Sequence, residues 1–269
     1  MNRAGEVFDA ARADFLRWSN RLWRPLGEVL VSVARPSTGD RVLDACCGAG
    51  ASALPAAHAV GPTGAVDAVD LAAALVAEGA REATEAGLSH LRFHVADVRS
   101  WPSRTAAEPY DVVQCGYGVF FLPDLDADAK ALCERLRPGG RFAVSTWLSG
   151  GMERIVPVGR AAAAPERPDL AGEGPRGPSA RLDTEARLHS WLDSLGLVDI
   201  QIRPVEFRIP LHPDDAWSFY LGAAMRAFVE GLPQDALDRT RARFTDGLRR
   251  AGIDMLDASS LIGVGHMPA

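Results

Sequence analysis

A chain of 269 residues can form one large domain or two small ones and can bury a core without disulfide staples. Hydrophobic residues at 47% and charged residues at 24% fit an ordinary globular protein, and a net charge of −6 argues against a nucleic-acid partner. No window holds ~18 uninterrupted apolar residues, and the amphipathic, acid-bearing start "MNRAGEVFDAARADF" is not a signal peptide, so a cytoplasmic protein without membrane association is expected.

The pattern is helical from Val7 to Ala34, with apolar residues at Val7, Phe8, Ala11, Phe15, Trp18 and Leu22 and a division at Pro25. "RPSTGD" is a loop, "RVLDA" a short strand, and "ASALPAAHAV" a helix. "GPTG" is a turn and "AVDAVDL" a second strand. A helix follows over Ala72 to Ala86, then the strand "LRFHVAD" ending at Asp97. Tyr110 to Gly118 reads as a fourth strand, Asp126 to Leu136 as a helix, "RPGG" as a turn and Arg141 to Trp147 as a fifth strand. Strands alternating with helices at this spacing predict an α/β fold, a parallel sheet covered on both faces.

After Trp147 the rhythm changes. Met152 to Ala164 reads as a short helix, Pro165 to Ser179 as a Gly/Pro-rich loop, and Thr184 to Leu195 as a helix stopped by Gly196. Leu197 to Leu211 reads as a strand interrupted by Pro204. Asp214 to Gly231 and Gln234 to Ala251 read as two helices, and Ser259 to Met267 as a last strand. The arginines between Leu237 and Gly252 alternate with aspartates, as on a solvated helix face. Lys130 is the only lysine among 29 basic side chains, a composition typical of GC-rich bacterial genomes.

The glycine-rich turn "DACCGAGASA" carries two adjacent cysteines, Cys46 and Cys47. With Cys115 and Cys133 they form no C-x-x-C pair, and no histidine stands at zinc-ligand spacing. Small buried thiols are expected, and no metal. Read literally, Gly48 to Ala53 matches G-x-G-x-x-A, with Asp70 20 residues after Gly50, the dinucleotide pattern of an NAD(P)-dependent oxidoreductase. Asp44 speaks against that reading, because a carboxylate beside the loop repels a pyrophosphate. It suits a ligand with cationic groups, such as the ammonium and sulfonium of S-adenosylmethionine. Asp70 can accept from ribose hydroxyls, and Asp97 from the adenine amine. All three acids end parallel strands, where open α/β sheets bind ligands.

In this order and spacing, "VLDACCGAG", "VDAVDL", "HVADV", "YDVVQCGYGVFFLPD" and "LRPGGRFAVSTW" resemble the motifs of class I S-adenosylmethionine-dependent methyltransferases. The resemblance is to the branch holding ubiquinone and menaquinone biosynthesis enzymes and natural-product small-molecule methyltransferases. It covers Arg41 to Trp147 and implies a seven-stranded, mostly parallel, Rossmann-like sheet whose last strand is antiparallel. It implies one domain over 1–269: a helical lid at 1–35, a cofactor-binding core at 36–150, and an acceptor-side half at 151–269. A helical insertion at about 212–251 caps the acceptor pocket. It places Asp44, Gly48 and Gly50 at the methionine part, Asp70 on the ribose, Leu71 against adenine, and Asp97 and the Val98 N–H on the base. Cys115 falls near the donor's amino group, and Phe15 and Trp18 are candidates to close the site. Cys46 departs from the family pattern by standing at its first glycine.

The implied reaction moves a methyl group to O, N or C of a hydrophobic or aromatic small molecule in bacterial secondary metabolism. Many relatives carry a histidine pair where this chain has Phe120 and Phe121. His212 is the candidate base, with Tyr117 and Tyr220 as alternative polar contacts. Phe120, Trp147, Trp217 and Tyr220 are candidates to line the acceptor pocket, Trp217 and Tyr220 sharing one helix face. A monomer or homodimer is expected. A methyltransferase-like fold without transfer activity, such as a cyclase or sensor, stays open.

Overall fold

The computed structural model describes residues 3–101, 109–172 and 178–269. Among the described residues nine strands run in chain order: β1 (Arg41–Ala45), β2 (Ala65–Asp70), β3 (Leu91–Val95), β4 (Tyr110–Gly116), β5 (Leu136–Trp147), β6 (Val198–Val205), β7 (Arg208–Pro210), β8 (Met255–Asp257) and β9 (Ser260–His266). Seven of them form one sheet in the order β3-β2-β1-β4-β5-β9-β6. β1 to β5 pair in parallel, and β9 runs antiparallel between β5 and β6. The fold class expected from sequence is therefore present, with its antiparallel last strand.

The strands at the centre are short apolar runs because helices cover both faces. The helices are α1 (Arg3–Arg17), α2 (Arg24–Ala34), α3 (Ala53–Val60), α4 (Ala73–Glu85), α5 (Leu125–Cys133), α6 (Ile155–Ala163), α7 (Glu185–Ser194), α8 (Pro213–Gly222) and α9 (Gln234–Arg250). On one face Val42, Val112 and Ala143 meet Leu30 of α2 and Ala57 of α3. On the other, Leu43, Val113 and Val144 meet Leu132 of α5 and Leu192 of α7. A third core joins Trp18 and Leu22 to Ala162 of α6, Tyr220 of α8 and Phe244 of α9, so the N-terminal segment and the late helices share one interior. Arg12 pairs with Glu78 and Arg24 with Glu82, holding the N-terminal segment against α4. Among the described residues no helix is long and apolar enough to cross a membrane.

Five elements differ from expectation. The first long helix breaks at Trp18 rather than Pro25. A π-helical turn spans Ser19–Trp23, with the Trp23 N–H reaching the Trp18 carbonyl at 3.4 Å. Pro25 lies in the first turn of α2, where its missing N–H costs nothing. β6 continues through Pro204, which an edge strand tolerates. The chain breaks after Val205, and the remainder pairs with β8 in a separate ribbon. α5 starts earlier and is shorter because the Asp124 carboxylate accepts the N–H groups of Asp126 and Ala127, while Leu136 already belongs to β5. The "RPGG" turn is a bulge inside β5, between the pairs Tyr110–Leu136 and Val112–Arg141. α8 ends at Gly222, and Ala224–Val229 is a 3-10 turn. Of the Gly/Pro-rich loop expected over 165–179, residues 173–177 lie outside the described residues.

Candidate active site

The turn after β1 doubles back tightly. Cys46, Gly48 and Gly50 all have left-handed backbone, with φ of +57°, +53° and +86°. Only Cys46 lacks glycine's freedom there. Asp70, at the end of β2, ties this turn down: one carboxylate oxygen accepts the Gly48 N–H and the other the Ala72 N–H, each at 2.8 Å. Burial pushes the Asp70 carboxyl up, against these hydrogen bonds.

Asp44 is fully buried. One oxygen accepts from the Ser52 hydroxyl at 2.8 Å, and the other has no partner. Burial drives its pKa up to about 7, with the Ser52 and Gln114 side chains pulling down and the nearby Asp70 charge adding to the rise.

Asp70, Leu71, Asp97, Val98 and Cys46 line one cleft holding about 550 Å³ of empty space, part of it open to solvent, and Phe8 and Phe121 face it from α1 and the loop after β4. The Asp97 carboxylate is gripped within its own turn. Arg99 donates from Nε at 3.0 and 3.1 Å and from Nη2 at 2.6 Å, which holds Asp97 below the usual carboxylate range. The Val98 carbonyl accepts from Arg135 at 2.7 Å.

Cys46 and Cys115 meet at Gly118. A Cβ built on Gly118 would stand 2.8 Å from the Cys115 sulfur and 3.1 Å from that of Cys46. Contact with Cys115, then burial, pushes the Cys46 thiol up, and burial does the same for Cys47, so both stay protonated and weakly nucleophilic. Among the described residues no cluster of side chains could hold a metal ion.

The rings sort differently from expectation. Phe15 does cover the loop: a Cβ on Gly48 would sit 3.7 Å from its Cζ. Trp18 does not face the cleft. It is buried against Phe219, and its indole N–H donates to the Ser218 hydroxyl at 3.0 Å. Trp23 instead stacks on Phe15, with centroids 5.0 Å apart and planes at 10°. The π-turn explains the stacking, because one extra residue per turn shifts the helical phase and brings Trp23 round to the Phe15 face.

Tyr117 stacks on Trp147 at 4.2 Å and meets Trp23 edge-on, while its hydroxyl donates to Ser260 at 2.7 Å. Burial raises its pKa far beyond neutrality, so it presents a ring rather than a base. Phe120 is buried in the main core, and Phe121, its neighbour, is 39% exposed at the cleft.

His212 is exposed at the start of α8, and no described histidine lines the cleft. Tyr220 is fully buried among the late helices, donating to the Gly159 carbonyl at 3.1 Å and stacking on Trp217 at 4.8 Å. The face carrying Trp217 and Tyr220 thus packs into the third core and does not line the cleft. α8 also presses on α1: a Cβ on Gly222 would lie 2.7 Å from the Asp14 carbonyl carbon.

Residues 42–140 match the family described as Methyltransferase domain. The chain is 36% identical over 143 residues to the aklanonic acid methyltransferase DauC of Streptomyces sp. (strain C5), covering 52% of this chain and 63% of the relative. It is 31% identical over 191 residues to the nocamycin O-methyltransferase of Saccharothrix syringae, covering 65% of each. The chain thus spans just under two thirds of these relatives' lengths. The crystal structure of the YcgJ protein from Bacillus subtilis shares the fold, with a TM-score of 0.59 at 16% identity over 91% of this chain and 99% of that one. S-adenosylmethionine, the donor expected from the sequence, fits what the loop offers. Asp44 keeps one buried oxygen without a donor, beside a turn rimmed by a second carboxylate.

Proposed function

We propose that the chain transfers a methyl group from S-adenosylmethionine to O, N or C of a hydrophobic or aromatic small molecule in bacterial secondary metabolism. The observation that carries this reading is Asp44. A buried carboxylate at the glycine turn, with Asp70 close by, favours a cationic donor and opposes the pyrophosphate of a dinucleotide. The two named relatives act on small molecules, which supports the acceptor class.

In this reading Asp44 and the Gly48–Gly50 turn hold the amino-acid part of the donor, with the Cys115 backbone nearby. Asp70 holds the ribose, Leu71 and Val98 flank the base, and Asp97 shares its carboxylate between Arg99 and the base amine. Phe15 covers the donor, and Tyr117, Trp147 and Trp23 form the acceptor wall. When bound, the donor supplies a methyl group already activated on a sulfonium. The chain's own contribution is then alignment and exclusion of water, worth up to ~7–11 kcal/mol in favourable cases. Among the described residues no histidine lines the donor cleft. A monomer or homodimer without nucleic acid completes the reading.

Titration calorimetry with S-adenosylhomocysteine, NAD and NADP tests it, and only the first should bind. That same lack of a histidine favours a second reading, a methyltransferase fold without transfer. Product mass separates the two: a gain of one methyl supports transfer, and an unchanged mass supports the alternative.

A further inference from the structure

We propose that Trp23 reads the acceptor: its indole N–H donates a hydrogen bond to an oxygen on a planar, fused-ring aromatic acceptor. The inference rests on the methyl-transfer reading, which supplies an acceptor to bind.

The first observation is an orphan. Trp23 Nε1 is buried and has no hydrogen-bond partner. An indole nitrogen can only donate, and folded proteins leave few buried donors unpaired. Three other tryptophans satisfy theirs: Trp18 on Ser218, Trp101 on Tyr110 and Trp191 on Asp126. Trp23 is instead surrounded by rings. Phe15 lies parallel at 5.0 Å, with Tyr117 at 6.2 Å and Trp147 at 6.3 Å. The Tyr117 hydroxyl is engaged with Ser260.

The second observation is the backbone. Trp23 closes the Ser19–Trp23 π-turn, a rare insertion that recurs at functional sites. Tyr117 has φ of +54°, a left-handed conformation that an aromatic residue resists. The two irregularities converge on one ring group, and neither residue lines the donor cleft.

The third is position. Phe15 covers Gly48 of the donor turn, and Tyr117 and Trp147 stand at the ends of β4 and β5. A flat acceptor entering this stack faces ring surfaces, and an oxygen on its edge supplies the partner that the indole lacks. That combination selects a fused-ring phenol or ketone over an aliphatic or purely hydrocarbon molecule.

The test uses protein saturated with S-adenosylhomocysteine and two probes of one shape, 2-naphthol and 2-methylnaphthalene. The Trp23 indole resonance is identified by its loss in Trp23→Phe, which keeps a ring and deletes the donor. We expect 2-naphthol to move that resonance downfield and to bind Trp23→Phe about tenfold more weakly, the effect of one buried hydrogen bond. 2-Methylnaphthalene should bind both proteins alike and leave the resonance in place. Equal 2-naphthol affinity for both proteins, an unmoved resonance in the parent protein, or no saturable binding of either probe overturns the inference. Should Trp23→Phe fold poorly, Trp23→Tyr supplies the same assignment and the same loss of the indole N–H, and the shift is still read on the parent protein. Failure to bind S-adenosylhomocysteine is a separate outcome, which removes the methyl-transfer reading and the inference with it.

Discussion

The Asp9 carboxylate accepts the backbone N–H of Ala74 at 2.7 Å, so the first helix caps the fourth from 65 residues away. The residue preceding α4, Ala72, has no side chain able to do so. Asp9→Ala should cost about 1 kcal/mol of stability, as loss of a cap does. It should also speed release of S-adenosylhomocysteine, because Gly5 and Phe8 of the same helix line the cleft. Thermal melts and stopped-flow release measure the two effects. A variant indistinguishable from the parent in both would sink the latch.

Asp70 holds the turn together before any ligand arrives. Asp70→Ala frees the Gly48 and Ala72 N–H groups. Each hydrogen bond to a charged group is worth ~1.5–3 kcal/mol, so S-adenosylhomocysteine affinity should fall at least tenfold and the melting point should drop. Unchanged affinity by calorimetry would remove Asp70 from the donor site.

The buried Asp44 makes stability depend on pH. Its carboxyl titrates near 7 in the folded chain against an ordinary 3.8, so between those values the folded state binds the extra proton. Its contribution is fully present below 3.8 and is lost as pH rises through about 7, on the order of 3–4 kcal/mol. Asp44→Asn should flatten that slope in urea titrations across the range. Donor binding runs the opposite way, because a cationic ammonium favours the ionised carboxylate. Affinity should weaken below about pH 7, with protons released on binding. Calorimetry in buffers of different ionisation enthalpy measures the release.

Cys46 holds a left-handed conformation that costs an ordinary residue about 1–2 kcal/mol. Cys46→Gly relieves it while deleting a partly buried thiol, so the urea midpoint should move little and donor binding should survive. Cys46→Val, β-branched, should lose about 2 kcal/mol or more. Equal stability for the two variants would contradict the strain argument.

Tyr220 belongs to the third core. Tyr220→Phe removes one hydrogen bond to Gly159 and should cost about 1 kcal/mol without changing donor affinity or the acceptor Michaelis constant. Replacing Trp217 and Tyr220 together by Ala should disrupt that core, seen as a lower urea midpoint. A selective rise in the acceptor constant at unchanged stability would return both rings to the pocket.

The parallel core was legible because its signals are local. Apolar runs of five or six residues, glycine turns and strand-ending acids fixed β1, β2, the cleft acids and the loop between them. The aromatic side was less so. Trp18 and Phe15 share a face on an uninterrupted helix, and nothing in "RWSNRLW" announces the π-turn that brings Trp23 to Phe15. Tyr220 reads as an amphipathic-face residue in either orientation, and only packing against Gly159 and Phe244 decides which side is interior. The grip of Arg99 on Asp97 was not legible, because a partner two residues away leaves no mark in a spacing pattern.

Gly222 sits so close to Asp14 and Phe15 that a methyl group has no room between them. The helices α1 and α8 are therefore geared, and neither can swing outward alone. Widening the late half of the chain for a bulkier acceptor would be felt at the donor entrance. Adaptation to new compounds along this lineage has to be negotiated with cofactor exchange, one contact at a time.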